Sequence, residues 1–282
     1  MKFDVIVGNP PYQNGSGNKG SNNTLWDKFV KKSLELVKED GYLCMVHPNG
    51  WRDVKGMFED TKELLQSKEI QYLEMHDMND GVKIFGVQSN YDWYIAKNTP
   101  TKGNKTHIKG QDGSKYDVDI SKLDFIPSRK FEEIRSLIAK GGEDMVEILY
   151  SRGSYGHDKS HVSKIKDNKF KYPVIYSIKM GDIPTLHYSD TNKNGHFGIP
   201  KFIFGGGVCT SIGSLVDSNG EYGLTQWATA IIDEKENLPL IKKAFDSIEF
   251  KELMKACPNQ NNNINRKVIA TFRKDFWKQF ID

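Results

Sequence analysis

The pattern of apolar and polar positions over residues 1–97 predicts strands separated by helices. Short β-branched apolar runs stand between longer segments in which apolar residues recur every three or four positions. The predicted strands are 3–7, 42–47, 70–75 and 91–97, and the predicted helices are 25–39, capped by Thr24 and stopped by Gly41, and a second one within 52–67. This alternation predicts an α/β domain with a parallel sheet and right-handed crossovers.

The pattern changes further along the chain. Polar residues with glycines predict a hairpin, and short strands and helices follow it. The hairpin strands are 106–109 and 116–120, the later strands are 174–178, 202–204 and 215–216, and the later helices are 128–139, 237–256 and 268–281. Because the composition becomes basic and aromatic near residue 150, we expect two domains, 1–150 and 151–282, the second one mixed α+β.

The first predicted strand, 3–7, leads into a chemically unusual turn, Asn9-Pro10-Pro11-Tyr12. The two prolines lack N–H groups and hold the backbone extended, so the carbonyl groups around Asn9 have no strand partners. The side-chain oxygen of Asn9 and a neighbouring carbonyl can accept both hydrogens of one amino group. The ring of Tyr12 can stack on a flat base. The turn therefore predicts a site for the amino group of a flat base, and the alternative is a proline-stiffened turn between strand and helix with no such role.

The residues after this turn, 14–23, contain no apolar side chain. Such a composition cannot bury a hydrophobic face. We expect a mobile loop that substrate binding orders.

The turn and its lead-in strand resemble motif IV of the gamma-type N6-adenine DNA methyltransferases of restriction-modification systems. Further landmarks follow at family-like distances: Leu25, Trp26 and Phe29 in the first helix, and Gly41, Leu43, Val46 and Pro48 along the second strand. The resemblance is strong over residues 1–97. After residue 97 it is moderate and consists mostly of the order in which the segments follow one another. It implies a partial methyltransferase (Rossmann-like) sheet, followed by a target recognition domain that selects the DNA sequence.

The resemblance also implies roles for individual residues. Asn9 and the carbonyl of Pro10 would accept hydrogen bonds from the amino group of an adenine rotated out of the duplex, and Pro11 would stiffen the turn. Tyr12 and Phe85 would hold the base by stacking, Phe85 from a hairpin. The residues alone also allow Phe85 to be a core side chain at a strand edge. S-adenosylmethionine is the implied methyl donor, and Asn9 would face it.

The cofactor-binding half of such enzymes normally precedes motif IV, whereas Met1 stands two residues before the first strand. We therefore expect strand 3–7 at an exposed sheet edge, and a split methyltransferase completed by a second polypeptide, or a truncated descendant. Residues 204–208 contain three consecutive glycines after a predicted strand. Because they lack the G-x-G-x-x-G spacing, they favour a tight turn over a cofactor-binding loop placed late in the chain. A non-catalytic or degenerate DNA-binding subunit, and a protein or small-molecule N-methyltransferase, stay open as alternatives.

Composition narrows the class of protein. Charged residues make up 27% and aromatic residues 11% of the 282 residues, and no apolar run approaches the length of a membrane span. We expect a globular cytoplasmic protein with no membrane segment. The net charge of +3 is uneven, because residues 1–150 hold 21 basic and 23 acidic residues whereas 151–282 hold 19 and 14.

Seven basic residues cluster over 152–179, with aromatic residues between them. The cluster includes Arg152, Lys159 and Lys164. Basic side chains interleaved with rings suit a phosphate backbone and bases, so these residues are predicted to contact double-stranded DNA. A solvated basic face has the same pattern.

The sequence predicts no metal centre and no disulfide framework. Cys44, Cys209 and Cys257 lie far apart and form no Cys-x-x-Cys pair. His157 and His161 have a metal-compatible spacing, but glycines precede them and no glutamate lies between them. This pattern favours a solvated loop.

Overall fold

The computed structural model describes residues 2–13, 24–150, 159–258 and 263–281. The chain divides into two compact units, Met1–Phe131 with Ala256–Pro258, and Glu132–Lys255 with Asn259–Asp282. The division falls at residue 131, and not near residue 150 where the composition changes. The reason is that the strand Glu147–Leu149 pairs with the strand Ala228–Ile232, so it is part of the second unit.

The first unit is built on a six-stranded sheet. Its strands are β1 (Phe3–Gly8), β2 (Val37–Pro48), β3 (Lys68–His76), β4 (Tyr91–Pro100), β5 (Thr106–Lys109) and β6 (Lys115–Val118). They lie in the order β1-β2-β4-β3-β5-β6. The four predicted strands and the predicted hairpin are all present, and β1 lies at the sheet edge. The expected α/β class is confirmed.

The direction of the strands differs from the prediction. β1 pairs with β2 in parallel and β3 pairs with β5 in parallel, but β4 runs antiparallel to both β2 and β3. The sheet is therefore mixed, and the prediction of a parallel sheet was wrong. The period of apolar residues reports which positions are buried, and it contains no information on strand direction.

Three helices accompany this sheet: α1 (Trp26–Leu36), α2 (Glu59–Gln66) and α3 (Met78–Phe85), with a 3-10 turn at Asn49–Arg52. α1 is shorter than predicted, because Leu25 and not Thr24 occupies its cap position and β2 already begins at Val37. Gly41 lies inside β2. A Cβ atom there would stand 2.7 Å from the backbone oxygen of Asp4, so the close approach of β1 to β2 requires glycine.

An aromatic stack lies in the core of the first unit. The rings of Trp26 and His47 are parallel within 13°, with centroids 4.4 Å apart. His47 is fully buried; its Nδ1 donates to the carbonyl oxygen of Pro48 (2.9 Å), and its Nε2 accepts from the hydroxyl of Tyr94 (3.2 Å). Burial lowers the pKa of His47 to about 4, so the imidazole in the core is neutral at pH 7.

The second unit contains two four-stranded sheets. Their strands are β7 (Glu147–Leu149), β8 (Val162–Ser163), β9 (Tyr172–Lys179), β10 (Ile183–Ser189), β11 (Lys201–Gly205), β12 (Ser214–Asp217), β13 (Gly223–Leu224) and β14 (Ala228–Ile232). The sheets have the orders β13-β9-β10-β8 and β12-β11-β14-β7. The helices are α4 (Phe131–Leu137), which begins at the division, α5 (Leu238–Asp246), α6 (Ile248–Ala256) and α7 (Arg266–Ile269), with a 3-10 helix at Phe276–Phe280. The expected mixed α+β class is confirmed.

A buried ion pair lies within the second unit. Lys201 on β11 is fully buried, and its Nζ lies 2.8 Å from Oδ2 of Asp217 on β12. The same ammonium donates to the carbonyl oxygens of His196 and Ile199, each at 3.1 Å. Burial lowers the pKa of Lys201, while the carboxylate of Asp217 opposes this shift. The charge is thus held in place by three oxygen acceptors.

Candidate active site

The turn Asn9-Pro10-Pro11-Tyr12 leaves the carboxyl end of β1, the edge strand. Asn9 and Pro11 are exposed, Pro10 is buried and Tyr12 is half-buried. The carbonyl oxygen of Tyr12 accepts from the backbone N–H of Leu25 (3.2 Å), which ties the turn to the start of α1. Within the described ranges, the side-chain amide of Asn9 has no hydrogen-bond partner. The turn therefore exposes an amide for which the described part of the chain supplies no partner.

The ring of Tyr12 packs against the core of the first unit. Its hydroxyl group is buried and has no hydrogen-bond partner among the described residues. Burial raises the pKa of Tyr12, and the nearby phenol of Tyr91 raises it further. The predicted mobile loop 14–23, which follows this ring, lies outside the described residues.

Phe85 lies at the end of α3 and not on the predicted hairpin. Its ring meets the ring of Tyr91 edge-on, with centroids 5.0 Å apart, and 36% of Phe85 is exposed. Gly86 ends α3 with φ +70°, a left-handed conformation that favours glycine. The hairpin prediction was wrong because Asp77 caps a helix here, its side chain accepting from the N–H groups of Asn79 and Asp80.

Tyr91, at the start of β4, contacts the ring of Phe85, and its phenol acts electrostatically on the phenol of Tyr12. Its other ring contact is His76 at the end of β3, which stacks on it with centroids 4.5 Å apart and planes within 6°. Sequence reasoning missed both Tyr91 and His76. They stand at the ends of predicted strands, and the antiparallel pairing of β3 with β4 places them opposite each other.

Two carboxylates face the ring nitrogens of His76. Nδ1 lies 2.8 Å from Oδ2 of Asp80 on α3, and Nε2 lies 3.2 Å from Oε1 of Glu74 on β3. Glu74 also accepts from the hydroxyl of Tyr72 (2.7 Å) and from Nζ of Lys109 (2.9 Å). Burial opposes ionisation of Glu74, but these two donors hold its pKa below the usual value. His76 therefore links the sheet to the helix that ends at Phe85.

A buried ion pair adjoins this cluster. Arg52 donates from Nε to Oδ2 of Asp92 (2.9 Å), and Nε1 of Trp51 donates to the same oxygen (2.9 Å). Arg52 also donates to the carbonyl oxygen of Ile126 (3.1 Å). Burial raises the pKa of Asp92, and the guanidinium of Arg52 opposes the rise. Asp92 follows Tyr91 directly, so the pair anchors the start of β4.

The residues predicted to contact DNA lie in the second unit. Lys164 is exposed directly after β8. Lys159 begins a short 3-10 segment, Lys159–His161, and its side chain is not described. Arg152 lies outside the described residues. The structure therefore gives a position for one of the three predicted side chains.

The structure gives a position for one of the two histidines that have a metal-compatible spacing. His157 lies outside the described residues, and Nδ1 of His161 lies 3.0 Å from Oδ2 of Asp190. The described residues contain no group of three or more side chains arranged to hold a metal ion.

Gly205 ends β11 in an antiparallel sheet, and Gly206 and Gly207 follow it in the connection to β12. In the described part of the chain, no helix has the length and apolar character needed to cross a membrane.

Residues 1–85 match the family model of the Eco57I restriction-modification methylase. The matched segment contains β1, the Asn-Pro-Pro-Tyr turn and α3 up to Phe85.

Curated relatives are similar to part of the chain. A protein of Mycoplasma pneumoniae named as an uncharacterized adenine-specific methylase is 34% identical over 148 residues, covering 44% of this chain and 32% of that protein. The modification methylase CviBIII of Paramecium bursaria Chlorella virus NC1A is 31% identical over 114 residues, covering 38% and 29%. The matched parts thus span about a third of these relatives. The chain is similar to adenine-specific and modification methylases.

A solved structure extends the similarity to the second unit. The type IIL restriction-modification enzyme MmeI, solved in complex with DNA, has a TM-score of 0.51 at 10% identity, covering 95% of this chain and 46% of that one. This likeness shows a shared fold.

Proposed function

We propose that this chain methylates the N6 amino group of adenine in double-stranded DNA, with S-adenosylmethionine as methyl donor. The observation that carries the proposal is the exposed amide of Asn9, which has no hydrogen-bond partner among the described residues, beside the half-buried ring of Tyr12 that packs against the core. The names of the curated relatives, adenine-specific methylase and modification methylase, support adenine as the methylated base.

The turn suits an amino group. The side-chain oxygen of Asn9 and the carbonyl oxygen of Pro10 each accept one hydrogen of the adenine amine, which directs the nitrogen lone pair away from the ring plane. S-adenosylmethionine, when bound, would supply the methyl group for this nitrogen, with the uncharged thioether as leaving group. The two oxygens stabilise the positive charge that develops on nitrogen, and a proton then leaves to solvent. Pro11 keeps the turn rigid.

The aromatic side chains suit a base that has left the duplex. A base in the stack cannot reach Asn9, so the adenine must rotate out. Tyr12, anchored to the core, and Phe85, supported edge-on by Tyr91, supply the rings that replace the lost stacking. Burial keeps the phenol of Tyr12 protonated and therefore uncharged.

β1 exposes apolar side chains at the edge of the sheet, and this supports the hypothesis that a second polypeptide pairs there and binds the cofactor. Phe3, Val5 and Val7 alternate along β1 and are all exposed, Val7 by 75%. A long apolar edge of this kind favours pairing with a further protein segment. In α/β sheets, ligands bind beyond the carboxyl ends of the strands, and Asn9 follows the carboxyl end of β1. Asn9 thus fits the cofactor-facing position, and the partner would supply the remaining contacts.

The second unit supports DNA recognition, because Lys164 and its neighbours form a basic exposed segment and the fold resembles that of an enzyme solved in complex with DNA. We assign the first unit to methyl transfer and the second to selection of the DNA sequence.

The test is methyl transfer from radiolabelled S-adenosylmethionine to unmethylated duplex DNA, with and without the candidate second polypeptide, and with N6-methyladenine identified by mass spectrometry. Asn9→Ala removes one of the two oxygens, so we expect the rate to fall by roughly 100-fold or more while DNA binding is retained. Asn104→Ala, an exposed asparagine on the same unit, is the matched control.

Other results would contradict the proposal. Unchanged transfer by Asn9→Ala would remove the mechanism. DNA binding with no transfer under any condition would favour a non-catalytic subunit, and label on a protein or small-molecule amide would favour a different N-methyltransferase.

A further inference from the structure

The antiparallel pair β9–β10 contains a bulge at Tyr176. Ser177 pairs with Thr185 and Ile175 pairs with Leu186, so Tyr176 has no partner residue on β10. A bulge of this kind turns one side chain away from the regular alternation and is often found at functional sites. The bulge therefore decides where the ring of Tyr176 points.

The backbone at this bulge is held by Thr225. Its Oγ1 donates to the carbonyl oxygen of Ile175 (2.9 Å) and lies 3.4 Å from that of Tyr176, and its N–H donates to the carbonyl oxygen of Ile175 (3.1 Å). The extra carbonyl groups of the bulge are thus satisfied within the second unit. The irregular conformation is a stable feature of the fold.

The bulge places the ring of Tyr176 flat against His187 on β10. The two centroids are 4.3 Å apart and the planes lie within 17°. Ile175 and Ile178 of β9 are buried in the core between the sheets, whereas Tyr176 is 38% exposed. Neither the hydroxyl of Tyr176 nor a ring nitrogen of His187 has a hydrogen-bond partner among the described residues. Within the described ranges, the pair therefore presents polar groups without partners beside a partly exposed ring.

The polar groups offer both donors and acceptors. Burial lowers the pKa of His187, and the ammonium of Lys164 lowers it further. The imidazole is neutral at pH 7, so one nitrogen donates and the other accepts. Together with a phenol, this is the chemistry that reads base edges.

The net charge of the segment that contains the pair favours a polyanion, and Lys164 acts electrostatically on His187. Residues 159–190 contain six lysines and three aspartates. Two of the aspartates are already paired, Asp182 with Lys242 and Asp190 with His161. At the turn between β9 and β10, the apolar side chains of Met180 (73%) and Ile183 (62%) are exposed. The acidic residue of this turn is Asp182, which is paired with Lys242.

We propose that the β9–β10 ribbon enters the major groove of duplex DNA and that Tyr176 and His187 contact base edges there, setting part of the sequence specificity. The major groove admits a two-stranded ribbon and displays a distinct pattern of donors and acceptors for each base pair. Lys164 contacts the phosphate backbone beside the ribbon. The inference rests on the DNA-binding part of the proposed function and does not depend on methyl transfer.

The test is selection of duplex oligonucleotides from a random library by the purified full chain. Tyr176→Phe and His187→Phe keep a ring in the stack and remove the polar groups. We expect each to select a motif relaxed at one or two positions, with discrimination at those positions falling about 10-fold. Tyr222→Phe is the matched control, since Tyr222 lies outside the ribbon and its ring packs against the core between the sheets, so its motif should be unchanged.

Lys164→Ala serves as a second probe. It should weaken binding to all sequences alike and reduce the salt dependence by about one counterion, with the motif retained. Thermal unfolding of each variant shows whether the fold is intact.

The proposal is overturned if the wild-type chain selects no motif, or if Tyr176→Phe and His187→Phe select the wild-type motif unchanged. Asn9→Ala should select the wild-type motif. Because selection measures binding alone, an absence of methyl transfer would overturn the proposed function and leave this inference standing.

Discussion

The imidazole of His76 lies parallel to the phenol ring of Tyr91, with centroids 4.5 Å apart and planes within 6°. The same imidazole contacts Asp80 on α3, and Tyr91 contacts Phe85 at the end of α3. The pair therefore connects the sheet to α3 at two points, one of which is the partly exposed ring of Phe85. His76 is therefore a positioning residue for Phe85 in the proposed site.

His76→Ala removes both the contact with Asp80 and the stack on Tyr91. We expect the position of Phe85 to loosen, so that KM for duplex DNA rises by several-fold while kcat falls less. Steady-state methylation assays separate the two constants. His107→Ala is the matched control, because His107 is exposed on the same unit and pairs with Asp117 on the surface. A control variant that loses activity to the same degree would contradict the assigned role.

Phe85→Ala removes one of the two proposed stacking rings. A stacked aromatic is worth about 1–3 kcal/mol per base, so we expect kcat/KM for duplex DNA to fall by roughly 10-fold or more. Phe29→Ala removes a phenylalanine of similar exposure from α1 and should leave kcat/KM near the wild-type value. Equal activity of Phe85→Ala and wild type would show that the base is held by other groups.

The stability of the first unit should depend on pH through His47. Its pKa of about 4 in the folded chain lies below the ordinary value of 6.5, so the unfolded chain binds the proton at a higher pH. The free energy of unfolding is therefore expected to fall as pH drops from about 6.5 to about 4, by roughly 3 kcal/mol in total. Urea unfolding followed by circular dichroism at several pH values measures this change. His47→Gln should flatten the dependence, whereas the exposed His107→Ala should retain it.

The second unit should depend on the buried pair of Lys201 and Asp217. Lys201→Met leaves the carboxylate of Asp217 buried, and among the described residues the backbone N–H groups of Glu221 and Tyr222 remain as its donors. We expect a loss of about 3 kcal/mol in the free energy of unfolding, measured by denaturant titration. Lys193→Met, on an exposed lysine of the same unit, should change stability by less than about 0.5 kcal/mol. Wild-type stability of Lys201→Met would show that the pair contributes no net stability.

Local patterns in the sequence were enough to predict the elements that follow from period and turn chemistry. The β-branched run 3–7, cut by a glycine and two prolines, forms β1 and ends at the Asn9 turn as predicted, because proline restricts the backbone whatever surrounds it. The hairpin 106–109 with 115–118 and the mixed character of the second unit follow from equally local signals.

Which side chains meet depends on contacts between segments that are far apart in the sequence. Strand direction placed β4 antiparallel between β2 and β3, and this pairing brought Tyr91 opposite His76 and beside Phe85. The bulge that aims Tyr176 at His187 depends on a register shift stabilised by Thr225, 49 residues further along the chain. Pairing, register and side-chain direction arise from contacts between distant segments, and a local pattern of apolar and polar residues does not contain them.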